Sequence, residues 1–582
     1  MTRFTEPGIV CARGLDHIMS HESQFTRKQF LAGFLTAVSA PGFATGFSEL
    51  AQDSPASSPQ EITLEHLKAY EQMLGIEFTD DERKAILNDV RGLRRSYSSL
   101  RAAKLENHVP VSTPFVPVGR TDYAGSSNKV EVEGYSSLKL PTSADDIAFL
   151  SVAQLASLVR RKLISPTELT NLYLNRLERY GGSLLNVITL TPELARAQAQ
   201  QATEEIAKGK YRGTLHGIPY GLKDLFAVRG FPTTWGAAPF ADQMLDFDCA
   251  VCERLTQAGA VLCAKLSMGA LAMNDVWFKG RTKNPWNPTQ GSSGSSAGSC
   301  SAVAAGLLPF AIGTETQGSI MSPSHRCRVT GLRPTFGRVS RFGAMTLSWS
   351  MDKAGPICRT AEDCAIVLSA ISGSDHRDSS TRQLPFSWKA ERDAAKFFKS
   401  LKIGLVQTQT ATAKPNYVSL LESLGAKLTP VQFTPVPDGI HIDLSVESAA
   451  AFDEFTRTDA IDGLKESLWP NIFRTHRFVG AVEYLQAMRM RSRVMETFEK
   501  ELGDFDFIVA PDRGGQLLFV TNRTGHPQLL IPNGSTSSNG QEVEQSFSLV
   551  GRLFGESLIC RAGWLLQQIM RHHEKRPDLS KL

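Results

Sequence analysis

The chain has 582 residues, with 63 Lys and Arg against 59 Asp and Glu, a formal charge of +4, and 42% hydrophobic residues. At about 150 residues per domain that length allows four domains or one large layered α/β unit. The charge is too even for a general nucleic-acid footprint. Forty-six glycines and 29 prolines exclude a collagen-like chain, and nine cysteines are too few for a disulfide scaffold.

Residues 1–50 read as a signal peptide or a disordered N-terminus. Arg27 and Lys28 precede an uncharged run from Gln29 to Ser48 that carries Phe30, Leu31, Phe34, Leu35 and Val38, with small residues around Ala40 and Ala44. That is the layout of a secretory signal. Thr26 to Leu31 resembles a twin-arginine signal with Lys in the second basic place. The expectation is export to the periplasm, with the cytoplasm as the alternative if the segment is no signal. Residues 1–18 make the basic region long, which points to Met19 as an alternative start. Pro41 and three glycines argue against a stable membrane-spanning helix. The first 50 residues hold four basic and four acidic side chains, so the net charge is the same without them.

Residues 51–145 read as a linker and an accessory helical segment. Asp53 to Gln60 is rich in Ser and Pro. Thr63 ahead of Leu64 and Leu67 starts one helix, and Thr79-Asp80-Asp81-Glu82 is a capping box before Ile86 and Val90. These helices would pack on the core or mediate a homodimer. Residues 107–145 lack periodicity and read as an extended connector.

From 146 to 582 helical and strand signals alternate, which predicts a layered α/β fold. Ser151 and Ser165-Pro166 open amphipathic helices. Short apolar runs at 307–312, 403–406, 507–509 and 529–531 predict buried strands. His572-His573 reads as a solvated tail. Cys249 and Cys252 have zinc-like spacing but no matching second pair, so core or surface thiols are the reading. Asn522-Arg523-Thr524 has the form of a glycosylation acceptor.

The densest chemical signal lies between Gly217 and Ser319. Gly217-Ile218-Pro219-Tyr220-Gly221-Leu222-Lys223-Asp224 places one lysine among apolar residues. Gly291-Ser292-Ser293-Gly294-Ser295-Ser296-Ala297-Gly298-Ser299 is a Gly/Ser loop entering a small-residue helix, and Gly313-Thr314-Glu315-Thr316-Gln317-Gly318-Ser319-Ile320 follows a strand. Each is weak alone. Gly294-Ser295-Ser296-Ala297-Gly298 also fits a nucleophile elbow, which would make Ser296 the nucleophile with His526 as a nominal partner, but residues 281–291 make a poor preceding strand.

Together these stretches resemble the amidase signature family of serine hydrolases. Flanking text agrees, including Asn284-Pro285-Trp286-Asn287, Gly331-Leu332-Arg333-Pro334-Thr335 and Met351-Asp352-Lys353-Ala354-Gly355-Pro356. The resemblance spans roughly 145–570. It implies one large α/β/α sandwich around a mixed sheet, Ser319 as nucleophile, Ser295 as bridging serine after a cis peptide, and Lys223 as general base. It also places the oxyanion hole and substrate contacts among Thr316, Gln317, Gly318 and Ser296. The substrate would be a small-molecule amide, with no metal, organic cofactor or nucleic acid. The chain departs from the pattern at Glu315 for Asp, Gln317 for Gly, Ala297 for Gly, and Met321 and Arg328 for Arg and Gly, which bears on substrate choice. Gln317, Met273 and Trp277 are pocket candidates by position, with core packing the stronger reading for the last two. Two other functions share the resemblance: the A subunit of a tRNA-dependent amidotransferase, and a non-catalytic binding protein of the same fold.

Overall fold

The structure is a computed structural model that describes residues 61–103, 129–132, 134–407, 414–464, 467–538 and 541–582. The expected signal at 1–50, the linker at 53–60 and much of the connector lie outside the described residues. Residues Ile62–Leu582 form one compact unit.

Its centre is an eleven-stranded mixed sheet. In chain order the strands are β1 (Val187–Leu190), β2 (Pro219–Lys223), β3 (Val261–Leu266), β4 (Phe310–Glu315), β5 (Thr330–Arg333), β6 (Lys353–Cys358), β7 (Lys402–Val406), β8 (Lys427–Val431), β9 (Phe507–Pro511), β10 (Gln528–Ser538) and β11 (Gln541–Gly551). Their spatial order is β8-β7-β9-β11-β10-β5-β6-β4-β2-β3-β1. This is the α/β architecture the sequence predicts. Strand β4 lies parallel to β2 and antiparallel to β6, so the carboxyl ends of β2 and β4 reach one edge together. Lys223 ends β2, and the Ser319 turn follows β4.

One strand differs in position from its apolar run. Leu307 and Leu308 are fully buried but precede β4, which continues through Gly313, Thr314 and Glu315. Burial around the turn produced the apolar signal, while the pairing of β4 with β6 extends over polar residues.

Two helices, α1 (Leu64–Leu74) and α2 (Asp80–Ala102), lead the unit. The Thr79 N–H donates to Glu82 at 2.7 Å and the Glu82 N–H to Thr79 Oγ1 at 3.3 Å, closing the expected capping box. Leu67, Phe78, Ile86, Val90 and Leu93 form a separate small core with Phe478. Arg83 and Glu71 pair inside it at 2.8 Å. Within the connector, Lys129–Glu131 pairs in parallel with Ser387–Lys389, so its last part is not a free linker.

His572-His573 is a further correction. The pair sits half-buried in a short helical turn, and the His573 carbonyl accepts from Arg359 at 2.8 Å. No described helix is long and apolar enough to cross a membrane.

Candidate active site

Lys223 is wholly buried at the end of β2. Its Nζ donates to Ser295 Oγ at 2.8 Å and to Thr314 Oγ1 at 2.8 Å. Burial disfavours the charged amine and pushes its pKa from 10.5 down to about 7, although Asp352, Cys300 and Glu315 pull the other way. Half the lysines are therefore neutral near pH 7 and can accept a proton.

Ser295 stands in the loop ahead of helix α3 (Ala297–Ala304), all of whose side chains are buried. The Gly294–Ser295 peptide is cis, as the resemblance implies. Gly294 is needed here, since a Cβ would lie 1.7 Å from the Asn274 carbonyl oxygen. Next to it, Ser296 is fully engaged within the protein. Its hydroxyl donates to the Thr314 carbonyl at 3.1 Å and accepts from the Thr314 N–H at 3.2 Å, while its N–H donates to the Ser319 carbonyl at 3.1 Å. Ser296 thus ties the loop to β4 and to the Ser319 turn. That leaves Ser296 poorly placed as an elbow nucleophile. His526, the nominal elbow partner, instead meets Thr524 Oγ1 at 2.8 Å and Glu499 at 3.5 Å.

Ser319 is half-exposed on the turn between β4 and helix α4 (Met321–Cys327). Among the described residues, nothing accepts from the N–H groups of Gln317, Gly318 or Ser319. Gly318 has φ +117°, a backbone state that side chains disfavour. The next two amides are held. Ile320 and Met321 each donate to Glu315 Oε2 at 2.9 Å, while Glu315 Oε1 accepts from Arg333 and from Asn522 Nδ2 at 2.8 Å. Burial alone would raise the Glu315 carboxyl, but Arg333 and the Met321 N–H outweigh it and hold the pKa below the ordinary range. Thr316 donates to Asp352 Oδ1 at 2.6 Å.

Thr314, Glu315 and Asp352 therefore join the site through contacts that motif reading missed. The unusual Glu in place of Asp was the available signal. Arg328 replaces a glycine at the left-handed end of α4, φ +54°, and is steadied by stacking on Trp286 and by Glu542 at 2.8 Å. Trp277 belongs to the core, where its indole donates to the Leu185 carbonyl at 3.0 Å. Met273 packs partly buried against the same core. Cys249 Sγ accepts the Cys252 N–H at 3.4 Å as a helix cap, and both thiols are buried. Asn522 is fully buried, so the acceptor sequence at Asn522 is inaccessible in the folded protein.

Fold and site together define an α/β amide hydrolase. The chain belongs to the amidase family, which it matches over residues 168–516. It is 30% identical to the A subunit of the glutamyl-tRNA(Gln) amidotransferase of Methylobacillus flagellatus, over 74% of this chain and 98% of that one. The native peptide amidase of Stenotrophomonas maltophilia superposes with a TM-score of 0.65 at 26% identity, covering 74% of this chain and 98% of its own. An amidase family protein from Bacillus anthracis shares the fold, with a TM-score of 0.67 at 24% identity over 75% of this chain and 94% of its own. The protein is an enzyme acting on linear carboxamide C–N bonds.

Proposed function

We propose that the enzyme hydrolyses a small carboxamide through an acyl-enzyme on Ser319. A serine hydroxyl is a weak nucleophile until a neighbouring base takes its proton. The observation that carries the reading is the 2.8 Å contact from Lys223 Nζ to Ser295 Oγ in a buried site. Neutral Lys223 draws the Ser295 proton, Ser295 draws that of Ser319, and Ser319 Oγ attacks the carbonyl carbon. The amides of Gln317, Gly318 and Ser319 receive the oxyanion, where one donor typically contributes about 10²–10³ in rate. Collapse expels ammonia or an amine, which leaves with the relayed proton. Water then frees the acid and returns Ser319.

Acid quench during turnover of an activated anilide, followed by peptide mass mapping, tests this reading. The acyl mass is expected on the peptide carrying Ser319, and an adduct on any other serine rejects it.

The likeness to the A subunit of an amidotransferase supports a second reading, in which the same chemistry releases ammonia for a partner chain. The signal-like segment at 27–48 favours a stand-alone exported amidase. Isolation of the native protein with or without a second chain, and the intact mass of the mature form, separates the two.

A further inference from the structure

The cleft beside the site carries a recognition element of its own. A cavity of about 270 Å³ runs from Thr314, Thr316 and Asp352 past Met345 and Leu347 to Trp349. A second hollow of about 680 Å³ continues from Trp349 to Tyr484, and the two share Arg341, Trp349, Arg377 and Asp378. Trp349 therefore lines both the cavity beside the site and the outer hollow.

Trp349 is 51% exposed, and it is the one tryptophan of seven that meets no ring or cation among the described residues. The other six each pack on a ring or a guanidinium. An exposed aromatic is often found on a loose loop, but this loop is fastened on both sides. The Leu347 and Ser348 N–H groups donate to Asp352 Oδ2 at 2.8 and 2.9 Å. Buried Glu447 accepts from Ser348 Oγ at 2.5 Å and from Ser350 Oγ at 2.6 Å, and Arg491 donates to the Ser350 carbonyl at 2.9 Å. Arg341 donates to the Trp349 carbonyl at 2.5 Å. Side-chain carboxylates and guanidinium groups thus fix the backbone while the indole is left open to the cleft.

The two arginines that line both hollows are already paired. Arg341 is paired with Asp378 at 3.1 Å and Arg377 with Glu253 at 2.6 Å. What this position offers a ligand is a flat apolar face on a fastened backbone, which suits offset stacking with another ring.

We propose that Trp349 is a specificity-determining residue that stacks on a planar aryl group of the substrate, so that the preferred amides are aryl-bearing rather than purely aliphatic. This rests on the amidase reading above. The outer hollow takes whatever the substrate carries beyond the ring.

The test uses phenylacetamide and cyclohexylacetamide, which share carbon count but differ in flatness. The wild-type enzyme is expected to favour phenylacetamide in kcat/KM. Trp349→Ala should reduce that preference about tenfold, mainly through KM, the scale of an aromatic pair. Trp349→Phe, which keeps a ring, should restore most of it and controls for folding. Calorimetry with both amides and the Ser319→Ala protein repeats the comparison without turnover, where adding Trp349→Ala should weaken phenylacetamide binding by a similar factor. Equal loss on both amides, no loss on either, or no aryl preference in binding overturns the assignment of Trp349. Turnover surviving in Ser319→Ala overturns the acyl-enzyme reading instead, so the two failures are distinguishable.

Discussion

Burial is what would let Lys223, ordinarily an acid, serve as the proposed base. With its pKa near 7, the amine is protonated below that value and free above it. The sign follows directly: kcat/KM should rise with pH through about 7 and level off above it, as only the neutral form accepts the Ser295 proton. A rate profile flat across pH 6–8 would contradict this base. Lys223→Ala should lower kcat by about 10²–10⁴, the usual span for a general base. Glu315 works at one remove, as a positioning residue whose carboxylate gathers the Ile320 and Met321 amides and Arg333. Glu315→Gln leaves the buried Arg333 charge without its partner and should cost about 3–5 kcal/mol in a denaturant titration. The same variant should lower kcat far more than it raises KM, because the Ser319 turn loses its anchor while the cleft keeps its walls.

At the scale of elements, strand β4 and the turn after it hold the proposed site, and they explain what a sequence can and cannot reveal. Lys223, Ser295 and Ser319 are proposed from three short runs that are weak singly and telling only in conjunction, and the structure brings Lys223 to Ser295 at 2.8 Å. Thr314 was not legible, since a threonine in a strand is ordinary and only its 2.8 Å approach to Lys223 gives it a role. The strand itself was misplaced by three residues at each end, because Leu307 and Leu308 are buried without pairing. Ser296 is a substrate-contact candidate only through the resemblance, and its three hydrogen bonds within the protein were not legible. Helices α1 and α2 were visible from their caps, but their seat against Phe478 depends on a contact nearly 400 residues away in sequence, which no local pattern encodes. That seat is separable from catalysis. Ile86→Ala should destabilise the protein by about 2–5 kcal/mol in a thermal or denaturant melt. Its kcat/KM should stay within about twofold of wild type, and a large kinetic loss would place this helical pair in the catalytic machinery.

For the whole molecule, the length that allowed four domains resolves into one compact unit from Ile62 to Leu582. Strands β2 and β4, about 90 residues apart in sequence, pair side by side, which brings Lys223 to Thr314 at 2.8 Å within one unit. The far end of the chain is tied into the same unit: Glu556 near the carboxyl terminus accepts from Arg338 at 3.0 Å and from the Thr335 N–H at 2.8 Å. The central claim is that these long-range pairings build one nucleophile, Ser319, served by one buried lysine. Labelling with a fluorophosphonate, read by peptide mapping in wild-type, Lys223→Ala and Ser319→Ala proteins, measures it most directly. A single adduct on Ser319, none in Ser319→Ala, and labelling slowed at least about hundredfold in Lys223→Ala are expected. An adduct on Ser295 or Ser296, or undiminished labelling without Lys223, would contradict it.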